Sequence, residues 1–185
     1  MSKFNELCIF YRNQVENHTD YKNACFTFIP ELVENIVNNL EWPPENLTYV
    51  SLKDLTKTVS YMTEVSQLEK VVLPAEKGFW SFGLSLVLLE AEALSAPNLY
   101  PVQFVIPIKV ACQKLLNETE GIFTVNVASR QKPFQVDSDN KVNEFKNISE
   151  YIYLKIKNKI EGWISWSIEQ QKENSENIEV TFYLD

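Results

Sequence analysis

The chain has 185 residues and a mass of 21.5 kDa, 45% of its residues are hydrophobic, and its net charge at pH 7 is −8. This length suits one domain that can bury a core without disulfides or a structural metal. The acidic balance argues against general nucleic-acid binding, which needs a basic surface to neutralise phosphates.

The cysteines and the absence of targeting segments favour a cytoplasmic protein. The N-terminal sequence lacks the apolar core of a signal peptide, and no stretch reaches the ~20 apolar residues of a membrane span. The three cysteines, Cys8, Cys25 and Cys112, are odd in number and have no CxxC spacing. Each lies in an apolar pattern, where a free cysteine usually behaves as a small buried residue. We therefore expect reduced thiols in a reducing compartment.

Helical periodicity marks the first 40 residues. The first apolar stripe consists of Phe4, Leu7, Cys8, Tyr11 and Val15. Its steps of three and four predict an amphipathic helix that ends near His18. Thr19 and Asp20 can cap a second helix. Pro30 either bends this second helix or begins a separate one, and Pro43 follows its end.

The centre of the chain is rich in β-branched and aromatic residues. Residues 47–52 are β-prone, and residues 55–68 predict a strand, or a short helix followed by a strand. The longest apolar runs lie within residues 78–130 and are GFWSFGLSLVLLE, VQFVIPIKVAC and GIFTVNVAS. Side chains alternate in these runs with a period of two, and the connections are short, so we expect an antiparallel β-meander.

Each apolar run has one face of large side chains. In the first run this face consists of Trp80, Phe82, Leu84, Leu86 and Leu88. In the second run it consists of Val102, Phe104, Ile106, Ile108 and Val110. Pro107 lies on the opposite face and cannot donate a hydrogen bond to a strand ladder. Its presence predicts an edge strand or a bulge.

The longest helical pattern covers about residues 140–171. Its apolar positions are Val142, Phe145, Ile148, Ile152, Ile156, Ile160 and Trp163. Residues 178–184 then alternate between apolar and polar side chains and predict a strand that returns to the sheet. The order of elements indicates a single α+β domain over residues 1–185, with an antiparallel sheet packed by N-terminal helices and one long helix.

Motifs for common catalytic and cofactor chemistry are absent. His18 is the only histidine, and no serine lies in a GxSxG elbow. We expect His18 to lie beside the negative end of a helix dipole. The four glycines form no phosphate-binding loop, and no Cys and His pairs have zinc spacing. The sequence therefore predicts no catalytic residue, metal or cofactor.

Paired carboxylates remain as candidates for magnesium binding. The pairs are Glu90 with Glu92, Glu118 with Glu120, and Asp137 with Asp139. Two carboxylates can hold Mg²⁺ or perform acid–base chemistry. The Glu-x-Lys of many metal nucleases has no full counterpart here, because Lys109 follows a proline and an isoleucine. Solvated loop acids are the more ordinary interpretation.

Two groups of side chains are candidates for binding. Trp80, Phe82 and Trp163 are candidates for lining a ligand cavity between the sheet and the long helix, although such aromatics more often pack in a core. Arg130, Lys132 and Phe134 combine cations with an aromatic that the pattern leaves exposed. They are candidates for contact with an acidic partner, and a solvated strand end is the alternative.

These observations favour a non-catalytic cytoplasmic protein that binds another protein or forms a homo-oligomer, with an exposed sheet edge as one possible surface. One alternative is a small-ligand-binding protein or hydrolase with a pocket between the sheet and the long helix. A second alternative is a magnesium-dependent nuclease that uses Glu90 or Glu92.

Overall fold

A computed structural model describes residues 3–88, 102–113, 121–170 and 180–184, with the backbone alone for 163–170 and for residue 180. Its helices are α1 (Lys3–Leu40), α2 (Val65–Leu68) and α3 (Lys141–Gln170), and short 3₁₀ turns cover Pro44–Asn46 and Glu76–Gly78. Its strands are β1 (Leu47–Ser51), β2 (Asp54–Ser60), β3 (Leu73–Pro74), β4 (Trp80–Leu88), β5 (Val102–Gln113), β6 (Ile122–Val127), β7 (Phe134–Val136) and β8 (Val180–Tyr183).

The strands form one sheet with the order β2-β1-β4-β5-β6-β7, in which neighbours are antiparallel. β3 also pairs with β4, and β8 pairs with β5 in parallel. The predicted α+β class, the antiparallel sheet, the long helix and the returning final strand are therefore confirmed. The ambiguous segment at residues 55–68 forms a strand followed by a short helix.

α1 is one continuous helix, and the predicted division near His18 was wrong. Thr19 does not cap a second helix, since its Oγ1 donates to the carbonyl of Val15 at 2.9 Å, a bond within a helix. Pro30 also lies inside the helix. The apolar stripe keeps one direction along the whole segment, so burial of this stripe outweighs the local signals for a break.

The end of α1 follows ordinary capping chemistry. Glu41 adopts a left-handed conformation with φ of 51°. The amide of Trp42 then donates to the carbonyl of Val37 at 3.1 Å, which is the long-range bond of a Schellman motif. Pro43 follows at once and cannot continue the helix, as the sequence predicted.

Pro107 lies in the middle of β5, which is a central strand between β4 on one side and both β6 and β8 on the other. β6 pairs with residues 108–113 and β8 pairs with residues 102–105. The carbonyl of Pro107 accepts from the amide of Ala128 at 2.7 Å, so the backbone of Pro107 faces this second side. Its nitrogen therefore faces the junction where β6 gives way to β8, and the prediction of an edge or bulge was wrong.

The core lies between the sheet and the helices. The large faces predicted for the apolar runs point into it, with Leu88 and Val102 more exposed at the end of the β4–β5 ladder. The second half of α1 packs across β5, whereas α3 packs against α1 and β7. Ile148, Ile152 and Ile156 of α3 are buried as predicted. α1, rather than the long helix α3, thus covers the middle of the sheet.

α1 and α3 run in the same direction where they meet. Lys141 Nζ lies 2.6 Å from Glu31 Oε1 near the start of α3. Further along both helices, Asn39 Nδ2 donates to Ser149 Oγ at 3.2 Å. The first half of α1 therefore extends away from α3. Within the described residues, no helix combines the length and apolar character needed to cross a membrane.

Gly83 in the sheet and Gly162 in α3 predict opposite effects of substitution by alanine. A Cβ at Gly83 would lie 2.7 Å from Val50 Cγ1 and 3.1 Å from Val105 Cγ1, on the face opposite the helices. We expect Gly83→Ala to destabilise the protein by about 1–3 kcal/mol through overpacking. Gly162→Ala in α3 meets nothing within 4 Å and should stabilise it by up to about 1 kcal/mol. Urea unfolding measures both changes, and shifts of the same sign would contradict this packing.

Candidate functional site

The first half of α1 extends beyond the sheet. Every residue from Lys3 to Asp20 is exposed, and this segment has a length of about 27 Å at 1.5 Å per residue. Hydrogen bonds to the rest of the fold are described just beyond its end, where the Tyr21 hydroxyl donates to the carbonyl of Gly78. One residue later, Lys22 Nζ lies 2.7 Å from Glu69 Oε1.

This exposed segment carries an apolar face, which we call the N-terminal apolar face. Its members are Phe4, Leu7, Cys8, Phe10, Tyr11 and Val15. At 100° per residue these side chains, together with Gln14 and His18, fall within an arc of about 160°. The buried residues of the second half are Cys25, Phe26, Phe28, Ile29, Leu32, Val33, Ile36 and Val37. They occupy the same arc, so one stripe faces the sheet in the second half of α1 and solvent in the first.

The N-terminal apolar face is large for a solvent-exposed surface. Phe4 is 72% exposed, Leu7 67% and Tyr11 71%. With ~200 Å² for a full aromatic side chain, the six residues expose on the order of 600 Å², which is the size of the largest patches on monomers and is often functional. Lys3, at the end of the helix, is the one charged residue of residues 3–20 that falls within the arc. The face therefore suits an apolar partner surface.

The charges on the opposite side of this segment do not suit a lipid surface. Glu6, Arg12 and Glu16 lie on that side. Amphipathic helices that bind membranes carry polar faces rich in Lys and Arg. Here the acidic side chains outnumber the single arginine, so the segment is better suited to a protein surface than to anionic lipid.

The structure brings together the predicted partner-contact residues Arg130, Lys132 and Phe134. All three line an open groove of about 590 Å³ between the β6–β7 connection and α3. Phe134 is buried, which corrects its interpretation as an exposed aromatic. Its burial follows from β7, a strand that sequence reasoning missed because three residues are too few to show a period.

Arg130 joins the β6–β7 connection to α3. Its Cζ lies 3.4 Å from the ring centroid of Phe134 and 5.2 Å from that of Tyr151. Its Nη1 is buried without a hydrogen-bond partner, so the rings provide the contact for this part of the guanidinium group. Glu144 and Glu150 also line the groove and balance the two cations. The groove therefore does not concentrate positive charge for an acidic partner.

The predicted ligand-binding aromatics belong to the core where their side chains are described. Phe82 is fully buried, and its ring centroid lies 5.6 Å from that of Tyr49. Trp80 packs edge-on against Phe26 with centroids 5.1 Å apart. The side chain of Trp163 lies outside the described residues. A second open groove, of about 600 Å³ between α1 and the β7–α3 turn, is lined by neither Trp80 nor Phe82.

Of the three acidic pairs that were candidates for magnesium binding, one lies among the described residues. Asp137 Oδ1 accepts from the amides of Asp139 at 3.0 Å and Asn140 at 2.9 Å, which orders the turn before α3. The pairs Glu90 with Glu92 and Glu118 with Glu120 lie outside the described residues. Within the described ranges, no three His, Cys, Asp or Glu side chains are grouped to hold a metal ion.

His18 does not occupy a helix end, and that prediction was wrong. It lies inside α1, and its ring centroid is 6.4 Å from that of Trp80.

Comparison with known protein families, with characterised proteins and with solved structures found no significant match. Function is therefore argued from the chemistry and shape of the molecule.

The cysteines differ sharply in environment. Cys25 and Cys112 are buried, but Cys8 is exposed on the N-terminal apolar face, which overturns its assignment to the core. Burial and the neighbouring Cys112 raise the pKa of Cys25 to about 12. Burial and Cys25 likewise raise the pKa of Tyr21 to about 12. The sequence pattern could not distinguish these cysteines, because each occupies the same apolar stripe or strand face.

We expect Cys8 to react rapidly with a thiol reagent at pH 8 in the folded protein, while Cys25 and Cys112 react only after unfolding. The raised pKa of Cys25 favours its neutral thiol in the folded state. Stability from this group is complete below the ordinary thiol pKa of 9.0 and is lost as pH rises towards about 12. Timed labelling with and without urea measures the reactivity of each thiol. Urea unfolding should show a lower free energy of unfolding at pH 10.5 than at pH 8. Rapid labelling of all three thiols in the folded chain would contradict the assignment.

The Arg130 contact predicts an energetic coupling with Phe134. Arg130→Ala and Phe134→Leu should couple by about 0.5–2 kcal/mol, because the cation lies over the ring and is partly removed from water. A double-mutant cycle on urea unfolding measures this coupling. Lys132→Ala removes a neighbouring exposed cation and is the matched control. Equal coupling of Phe134 to Lys132 would argue against a specific Arg130 contact.

Proposed function

We propose that this chain is a non-catalytic cytoplasmic protein that acts by self-association through the N-terminal apolar face. The observation that carries the proposal is the continuation of the core-facing stripe of α1 beyond the sheet. A helix face with the composition of a core is stable in water chiefly when another apolar surface covers it. A second copy of the same face supplies such a surface.

The size of the face supports a dimer. Two copies carry on the order of 1,200 Å² of exposed apolar surface on this segment, which is the lower limit of ordinary stable interfaces. Lys3 is the one charged residue of residues 3–20 within the arc, and its place at the end of α1 lets its ammonium group reach solvent, so pairing leaves no charge buried without a partner. The odd number of cysteines and the lack of CxxC spacing support a reducing, cytoplasmic setting.

The alternative functions have weaker support. The described grooves are open, and Trp80 and Phe82 are packed in the core instead of lining a cavity for a ligand. The carboxylates Glu90 and Glu92 of the nuclease hypothesis lie outside the described residues. Neither a ligand-binding protein nor a nuclease therefore has an assembled site among the described residues.

Substitution on the two sides of α1 tests the proposal. We expect Leu7→Glu to raise the dimer Kd by about 30-fold or more, because it places a charge at the centre of an apolar contact worth at least ~2 kcal/mol. Ile9 is also exposed but lies on the opposite side of the helix, so Ile9→Glu is the matched control and should leave the Kd unchanged. Sedimentation equilibrium measures both values.

A wild-type chain that remains monomeric at high concentration would overturn the proposal. An equal effect of Leu7→Glu and Ile9→Glu would assign the association to a different surface. Far-UV circular dichroism of both variants shows whether the fold is retained, since the sheet and the second half of α1 contact neither position.

A further inference from the structure

The sheet restricts how a second α1 can lie on the N-terminal apolar face. In the second half of α1 the same arc of the helix faces the sheet. A parallel partner helix, packed at about 8–10 Å on residues 4–18, would continue along the same line over residues 25–37. That space is already occupied by the sheet and its side chains. A parallel pair is therefore blocked by each chain's own core.

A helix that runs in the opposite direction meets no such obstacle among the described residues. The N-terminus of the partner helix points towards Trp80 of the first copy. The sheet of the partner lies at the opposite end of the helix pair. The positions on the face also match in this direction. With Tyr11 at a twofold axis, Phe4 of one copy lies at the height of His18 of the other along the axis, Leu7 at the height of Val15, and Cys8 at the height of Gln14.

We propose that two copies of this chain pair antiparallel through the first halves of α1, with Tyr11 of each copy at the twofold axis. This inference rests on the proposed self-association and adds the direction and register of the partner. Every side chain that it pairs belongs to the arc of about 160° that also contains the face. The antiparallel arrangement also sets the two helix dipoles in opposite directions, which is the favourable arrangement for neighbouring helices.

The arrangement extends the core of each copy at its open end. The ring of His18 lies 6.4 Å from that of Trp80, which in turn packs on Phe26. Phe4 of the second copy would lie on His18 and continue this row of aromatic side chains. Each copy would thus contribute an aromatic residue to the end of the other copy's core.

Disulfide formation tests the direction and the register. Phe4 and His18 lie about 20° on either side of Tyr11, so in the antiparallel pair each faces the other, and helix axes about 9 Å apart place their Cα atoms within the roughly 4.4–6.8 Å that a disulfide allows. The two Cys8 residues are six positions apart along the axis, or about 9 Å, and exceed this range. We expect a variant that combines Cys8→Ser, Phe4→Cys and His18→Cys to form a covalent dimer under mild oxidation at least about tenfold faster than wild type. The same variant with serine at positions 4 and 18 is the control of equal size.

A variant that combines Cys8→Ser with only one of Phe4→Cys and His18→Cys should lose the rapid link, because the same position in the two copies is then fourteen residues, or about 21 Å, apart along the axis. Rapid linkage of a variant with only one of these cysteines would instead indicate a parallel pair. Slow linkage of the variant with both cysteines in a sample that sediments as a dimer would overturn the register. Sedimentation of the same samples under reducing conditions separates these outcomes, because a monomer there refutes self-association itself.

Discussion

The structure depends on the burial of one helical stripe against one strand. α1 lies across β5, the long central strand that pairs with β4 along one side and with both β6 and β8 along the other. Side chains such as Ile29 and Leu32 belong to the same buried core as Ile106 of the sheet, and all of these are removed from water. The apolar surface removed here provides the main driving force for the fold.

The apolar stripe of α1 has two different environments. In the second half of α1 the sheet buries this stripe, whereas in the first half nearly the same arc of side chains faces solvent. A short helix without tertiary contacts is only marginally stable in water, so the packed half must propagate the exposed half. The segment is thus held in place by its covalent continuity with the core. In the proposed dimer this reduces the conformational entropy that is lost on association.

The Arg130 groove has a different character. Its arginine is held between Phe134 and Tyr151, and its acidic and basic side chains are balanced. Such an arrangement fastens the β6–β7 connection to α3 and leaves no excess of positive charge in the groove. Arg130 and Phe134 of the predicted basic contact therefore pack against each other, whereas Cys8, predicted to be buried, is exposed.

The periodicity of the sequence predicted the local elements of the structure. Alternation in residues 78–130 predicted the strands and their faces, since the period of a strand depends only on local geometry. The helical steps of residues 140–171 likewise predicted α3. Motifs for metal and phosphate binding can also be sought in a sequence, because they need particular residues at particular spacings.

Other features required the tertiary structure. Phe4 and Phe28 belong to the same stripe and have the same local pattern, yet only Phe28 meets Phe123 and Phe145. Likewise, Pro107 is accommodated in a central strand because two other strands divide that side of β5 between them. The sequence by itself determined which side chains are apolar and which way they point along each element. The tertiary structure decided which of them the sheet can reach, because burial depends on where distant strands end in space.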